Sequence, residues 1–152
     1  MRHHEQQITA RPVVVDLDTH KKLANHVPLA TCLGLNIEEL RPGYARAKLA
    51  IMEDMRNMYD ATHGAVLLVA ADHLAGATAG MYGKYVGLQL TANFIRSPAV
   101  GTVVTVEGYL VHLGRSTAVV EVLAQSTEQG MLLRAMVTGI NLGLREDEGD
   151  ER

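Results

Sequence analysis

Residues 65–79 read A-V-L-L-V-A-A-D-H-L-A-G-A-T-A, apolar or small on every side of a helical projection apart from Asp72, His73 and Thr78. A helix with no polar face belongs inside a fold. The polar turn Asp60-Ala61-Thr62 precedes this run, so the spacing predicts a helix start at His63-Gly64. Elsewhere the period becomes alternating. Ala45, Ala47, Leu49 and Ile51 fall on one face and Tyr44, Arg46 and Lys48 on the other, the pattern of a half-buried strand. Residues 35–40 predict a strand before it, across the tight turn Arg41-Pro42-Gly43. After a connection over residues 80–87, Leu88, Leu90, Ala92 and Phe94 alternate with Gln89, Thr91, Asn93 and Ile95, and the apolar set is placed to cover the helix. Residues 102–113, 116–125 and 131–143 predict three further strands, with Gly114-Arg115 as a two-residue hairpin and a turn over residues 126–130.

Upstream, residues 1–18 form a polar arm broken by Val13-Val14-Val15, with the first ten residues expected to be poorly ordered. Thr19 is a fair N-cap for a short helix through Val27, and Pro28 opens a second turn to Leu33, together a lid or plug on the main fold. The chain divides into residues 1–30 (arm and short helix), 31–144 (main domain) and 145–152 (acidic, solvated tail). Two strands, one long helix and four strands in an antiparallel meander make an α+β arrangement, one sheet wrapped around one helix.

Composition narrows the function classes. At 152 residues, with 47% hydrophobic and 20% charged, the chain suits a single globular domain. A net charge of -3 and no basic run longer than Lys21-Lys22 argue against nucleic acid or an acidic membrane as partner. The lone Cys32 excludes an internal disulfide framework and fits a reducing compartment. No apolar run of membrane-spanning length is expected, and Met1-Arg2-His3-His4-Glu5-Gln6 lacks the order of a signal peptide, so the expected location is cytoplasmic. No His/Cys/Asp/Glu spacing suggests a metal site, and no cofactor is expected.

The chemistry centres on Asp72, since a carboxylate in an apolar helix is costly unless it is hydrogen-bonded, paired or kept for chemistry. At the helix start, the free amides of Gly64 and Ala65 would make a partly positive, donor-rich end that receives an anion or polarises a carbonyl. Asp72 lies eight residues further on, about 12 Å along the axis. That is too far for both groups to act on one carbon within one subunit. Cooperation requires the Asp72 of a second subunit beside the helix start of the first, hence a dimer with two composite sites. The bland alternative is a structural carboxylate. His73, one residue on, projects about 100° away around the helix and reads as a core or interface histidine.

These residues resemble the hotdog-fold thioesterases, and within them the phenylacetic-acid-degradation-type acyl-CoA thioesterases, over roughly residues 33–144. Leu33-Gly34-Leu35 followed by Arg41-Pro42-Gly43 is similar to the family's opening hairpin. Asn57, His63-Gly64 and Asp72 match its asparagine, histidine-glycine and helix aspartate in spacing, and Phe94-Ile95-Arg96-Ser97-Pro98 and Gly114-Arg115-Ser116-Thr117 are similar to later segments. Ala65 departs from the second glycine of many members. The resemblance implies a hotdog fold and hydrolysis of a small-to-medium acyl or aryl CoA thioester by a homodimer, or a dimer of dimers. It implies polarisation of the carbonyl by Gly64 and a partner-chain Asp72 acting as base or nucleophile. Asn57 would hold the water or the carboxylate, His63 would orient the turn, and Thr91 stands where relatives carry an assisting residue. Arg96, Arg115, Ser116 and His112 would meet the nucleotide end of CoA. Two rival readings stand beside this one: a non-catalytic acyl-CoA-binding hotdog domain, and a hotdog hydratase or dehydratase.

Overall fold

The computed structural model describes residues 12–143, so the expectations for the first eleven residues and for the tail from 145 onward lie outside the described residues. The chain runs α1 (Leu17–Asn25), α2 (Pro28–Leu33), β1 (Asn36–Arg41), β2 (Tyr44–Ala50), α3 (Gly64–Ala79), β3 (Tyr85–Phe94), β4 (Val103–Leu113), β5 (Thr117–Ser126) and β6 (Gly130–Asn141). Local chemistry accounts for most boundaries. Asp16, not Thr19, caps α1: its carboxylate accepts the Thr19 N–H at 2.9 Å. Pro28 opens α2, which closes at Gly34 with a left-handed φ of 69°. The β4–β5 connection is three residues, Gly114 to Ser116, where two were expected, closed by Gly114 N–H donating to the Thr117 carbonyl at 2.7 Å.

The six strands form one sheet in the order β1-β2-β4-β5-β6-β3, every neighbouring pair antiparallel. The expected four-strand meander is therefore corrected. α3 crosses the sheet before β3 begins, so β3 pairs only with β6 at the far edge and β4 returns to pair with β2. The α+β hotdog arrangement is otherwise as the sequence implies. Ala45, Ala47, Leu49, Val104, Val106, Leu110, Val122 and Ala124 face inward against Val66, Leu67, Ala70, Ala71 and Leu74 of α3, forming one buried core. A β-bulge between Gly87 and Gln89 interrupts the alternation expected of β3. Leu90 and Ala92 still pack on the core, while Leu88 is 62% exposed.

Two expectations about α3 change. It is not buried all round: Ala65, Asp72 and Gly76 are exposed and Leu68 and Val69 half-buried, a single stripe along one face. The run Gly64–Tyr82 is also long and apolar enough to cross a bilayer, at 19 residues with a hydropathy of 1.3, contrary to the expectation from the sequence. In the fold it lies across the inner face of the sheet, more than half of it buried there.

Candidate functional site

The loop before α3 is built to present one amide. The Asn57 side-chain oxygen accepts the N–H groups of Tyr59 at 2.9 Å and Ala61 at 3.2 Å, and Asn57 N–H donates to the Ala61 carbonyl at 2.7 Å. Asp60 takes a left-handed φ of 60°, which Asp tolerates through its short polar side chain. Thr62 donates its hydroxyl to the Pro98 carbonyl at 2.6 Å, fastening the loop to the segment after β3. His63 is the N-cap, in extended backbone, and its Nδ1 accepts the Ala65 N–H at 3.1 Å. Of the two amides expected to be open, Ala65 is therefore occupied. The Gly64 N–H has no acceptor among the described residues.

Gly64 borders a recess of about 230 Å³ shared with Thr62, Leu67, Phe94 and Arg96. A Cβ at position 64 would stand 3.0 Å from Phe94 Cε1, so the absence of a side chain lets the ring close over the helix start. Asp72 is elsewhere, at a cavity of about 790 Å³ bounded by α1, the C-terminal half of α3, the start of β3 and the inner faces of β5 and β6. Its Oδ1 rests against Gly87, where a Cβ would be only 3.0 Å away. His73, beside it on the cavity wall, has its Nε2 buried with no hydrogen-bond partner among the described residues. Burial pushes the His73 pKa below the ordinary 6.5, opposed by the Ala24 backbone and the Asp72 charge.

Within one protomer the predicted site residues fall into two groups. Asn57, His63, Gly64 and Arg96 gather at the helix entrance. Arg96 Nη1 donates to the Gln129 carbonyl at 3.1 Å and the Met131 carbonyl at 3.4 Å. Asp72 stands apart at the other cavity. Thr91 pairs with Met136 and alternates with the inward Leu90 and Ala92, so its side chain is on the sheet face turned away from α3, not beside the Asp72 of its own chain. His112, Arg115 and Ser116 are exposed around the β4–β5 hairpin and line neither recess. Gly87, Thr62 and Phe94 were not anticipated as site residues; only their contacts across the sheet show it. Among the described residues no cluster of three or more His, Cys, Asp or Glu side chains is placed to hold a metal.

A family model for the thioesterase superfamily matches residues 59–132, the segment that carries the end of the loop, α3, β3, β4, β5 and the start of β6. A 1,4-dihydroxy-2-naphthoyl-CoA hydrolase of Listeria monocytogenes serotype 1/2a (strain 10403S) is 30% identical over 106 residues, 66% of this chain and 85% of that protein. The chain belongs to the thioesterase superfamily. Solved structures place this thioesterase among hotdog folds. The PaaI protein from the phenylacetic acid degradation operon of E. coli superposes with a TM-score of 0.78 over 84% of this chain and 97% of that one, a likeness of fold at 20% identity. A hypothetical thioesterase of Streptococcus pneumoniae TIGR4, solved with coenzyme A, gives a TM-score of 0.69 at 28% identity over 73% of this chain and 90% of that one. The thioesterase assignment makes the protein a thioester hydrolase, with the helix entrance and Asp72 inside or beside the matched segment's structural core.

Proposed function

We propose that the protein hydrolyses acyl-CoA thioesters in the cytoplasm, at sites each built from two copies of the chain. The observation that carries this reading is Asp72 itself, an exposed carboxylate on an otherwise apolar helix stripe, lining a cavity and with no ion-pair partner among the described residues. Along β3, Asp72 abuts Gly87 and Gly64 abuts Phe94. The outer edge of β3 has no neighbour among the described strands, and such an edge favours pairing. If two copies pair antiparallel by this edge, with the twofold axis near Leu90 and Thr91, Gly87 of one copy lies opposite Phe94 of the other. The acid of one chain then faces the amide of its mate. Association of two such dimers gives a tetramer.

In that site the thioester oxygen rests on the Gly64 N–H, where the donor and the helix dipole favour the developing negative charge. Asp72 either deprotonates a water that attacks the carbonyl carbon, or attacks it directly to form an anhydride that water then opens. Both routes release the CoA thiol and a carboxylic acid. Asn57 and His63 fix the loop that aims Gly64. Arg96 has donors beyond the one held by backbone carbonyls, and these suit a CoA phosphate; Arg115, Ser116 and His112 offer a second polar contact at the hairpin. Thr91, at the paired edge, supports the joint between the copies.

Thiol release measured over short, medium, long and aryl acyl-CoAs, alongside crotonyl-CoA hydration, tests the proposal. Asp72→Asn should lower hydrolysis by roughly 10²–10⁴-fold with the unfolding midpoint unchanged, because the side chain is exposed. Unchanged turnover would refute the role of Asp72. Tight acyl-CoA binding without hydrolysis in the unaltered protein would leave a binding module instead.

A further inference from the structure

The cavity beside Asp72 is larger than the chemistry needs, and one wall of it comes from α1, outside the segment that defines the family. His20, Leu23 and Ala24 recur at helical spacing along one side of α1, Val27 follows as the N-cap of α2, and all four line the cavity. Leu23 and Val27 remain 66% and 39% exposed. Apolar side chains held over a hollow are unfilled partners, not packed core. Facing them are small or apolar inner residues, among them Ala75, Gly76, Ala118, Val120 and Val137. The charged residues of the lining are Asp72 and Lys84. His20 spends Nε2 on the Ala77 carbonyl at 2.9 Å, and His73 is disfavoured as a cation by its burial. Lys84 is exposed, so the buried apolar walls leave a carboxylate on the far end of a substrate without a buried counter-charge.

Resting on the hydrolase reading above, we propose that this cavity receives the acyl group, and that the substrate class is thioesters of uncharged, apolar acyl groups of medium to long length, with Leu23 of α1 and Val27 at the start of α2 setting the length accepted. The Asp72 carboxylate at the mouth places the reacting carbonyl there, so the acyl tail runs inward under α1. The space is about 790 Å³. Half of that space equals roughly a dozen volumes of about 30 Å³, the share of one water molecule in the liquid and close to the size of a methylene. Each methylene that leaves water for such a wall favours binding by about fourfold.

The test is kcat/KM for saturated acyl-CoAs from acetyl to palmitoyl, with the ω-carboxyl counterpart of decanoyl-CoA, in the unaltered protein and in Leu23→Trp. Expected are a decanoyl-to-butyryl ratio of at least about tenfold, a loss of about tenfold or more in that ratio in Leu23→Trp, and at least about tenfold slower turnover of the ω-carboxyl thioester. A flat profile, as would follow if side chains of a second copy fill the hollow, overturns the proposal, as does a ratio indifferent to Leu23→Trp. Equal turnover of the charged tail overturns the uncharged class. Calorimetric titration with unreactive decyl and ethyl thioethers of CoA separates this from the hydrolase reading. If no thioester is turned over, the hydrolase reading fails. Tighter binding of the decyl compound, weakened in Leu23→Trp, would still support the acyl cavity, and equal binding of the two would overturn it.

Discussion

Replacing Gly64 with proline would delete one hydrogen-bond donor and little else. His63 has φ -64° and ψ 126°, the extended backbone that a residue before proline requires. Position 64 is the first of the helix, where proline is tolerated because its missing N–H has no intrahelical acceptor. The added carbons meet the Phe94 ring, 3.0 Å from an ideal Cβ, so the ring must give by a few tenths of an ångström. The expected loss of stability is within about 1 kcal/mol. Loss of one oxyanion donor should lower kcat by roughly 10²–10³, or about 2.7–4 kcal/mol of transition-state stabilisation. The decisive assay mixes chains. Gly64→Pro and Asp72→Asn chains, co-expressed with different tags, give mixed dimers in about half of all pairings, each with one intact site of two, so activity should recover to about a quarter of the unaltered protein's. If donor and acid acted from the same chain, the mixture would stay at the level of its two inactive parents, and the two-chain site would be wrong.

Two further outcomes follow from neighbouring geometry. Gly87→Ala puts a Cβ 3.0 Å from Asp72 Oδ1, so the carboxylate must turn; kcat should fall by about tenfold to a hundredfold with KM little changed, and the same substitution in Asp72→Asn should cost nothing more. Equal losses in both backgrounds would show that Gly87 matters only for folding. His73 has a folded-state pKa below the ordinary 6.5 because burial disfavours its charged form. The unfolded chain therefore binds the extra proton, and the contribution of this group to stability is fully present above about pH 6.5 and lost as the pH falls toward the lowered value. Urea unfolding between pH 5 and 8 should show that slope flattened in His73→Gln, and an identical slope in both proteins would reject burial of the imidazole as its cause.

Much of the fold was legible because its signals are local. The unbroken apolar run fixed α3, the His63-Gly64 boundary followed from the polar turn before it, and alternation located five strands within a residue or two and β3 with its start three residues late. Where the expectations failed, a side-chain hydrogen bond or a strand-pairing irregularity had intervened. Asp16 reached the Thr19 amide and displaced the expected cap. The bulge at Gly87 turned Leu88 out of the expected pattern. His63 captured the Ala65 amide and left a single open donor where two were expected.

The sequence by itself determined the elements, the composition of the core and the presence of an acid that an apolar helix would not carry without reason, since hydrophobic period and charge are properties of neighbouring residues. The tertiary structure alone decided that β3 lies at an unpaired edge, that α3 keeps one stripe open, that Gly87 and Phe94 flank the acid and the amide, and that α1 roofs a cavity. Which strand lies beside which, and which helix face stays uncovered, depends on the path of the whole chain over one core, and no stretch of residues encodes that path alone.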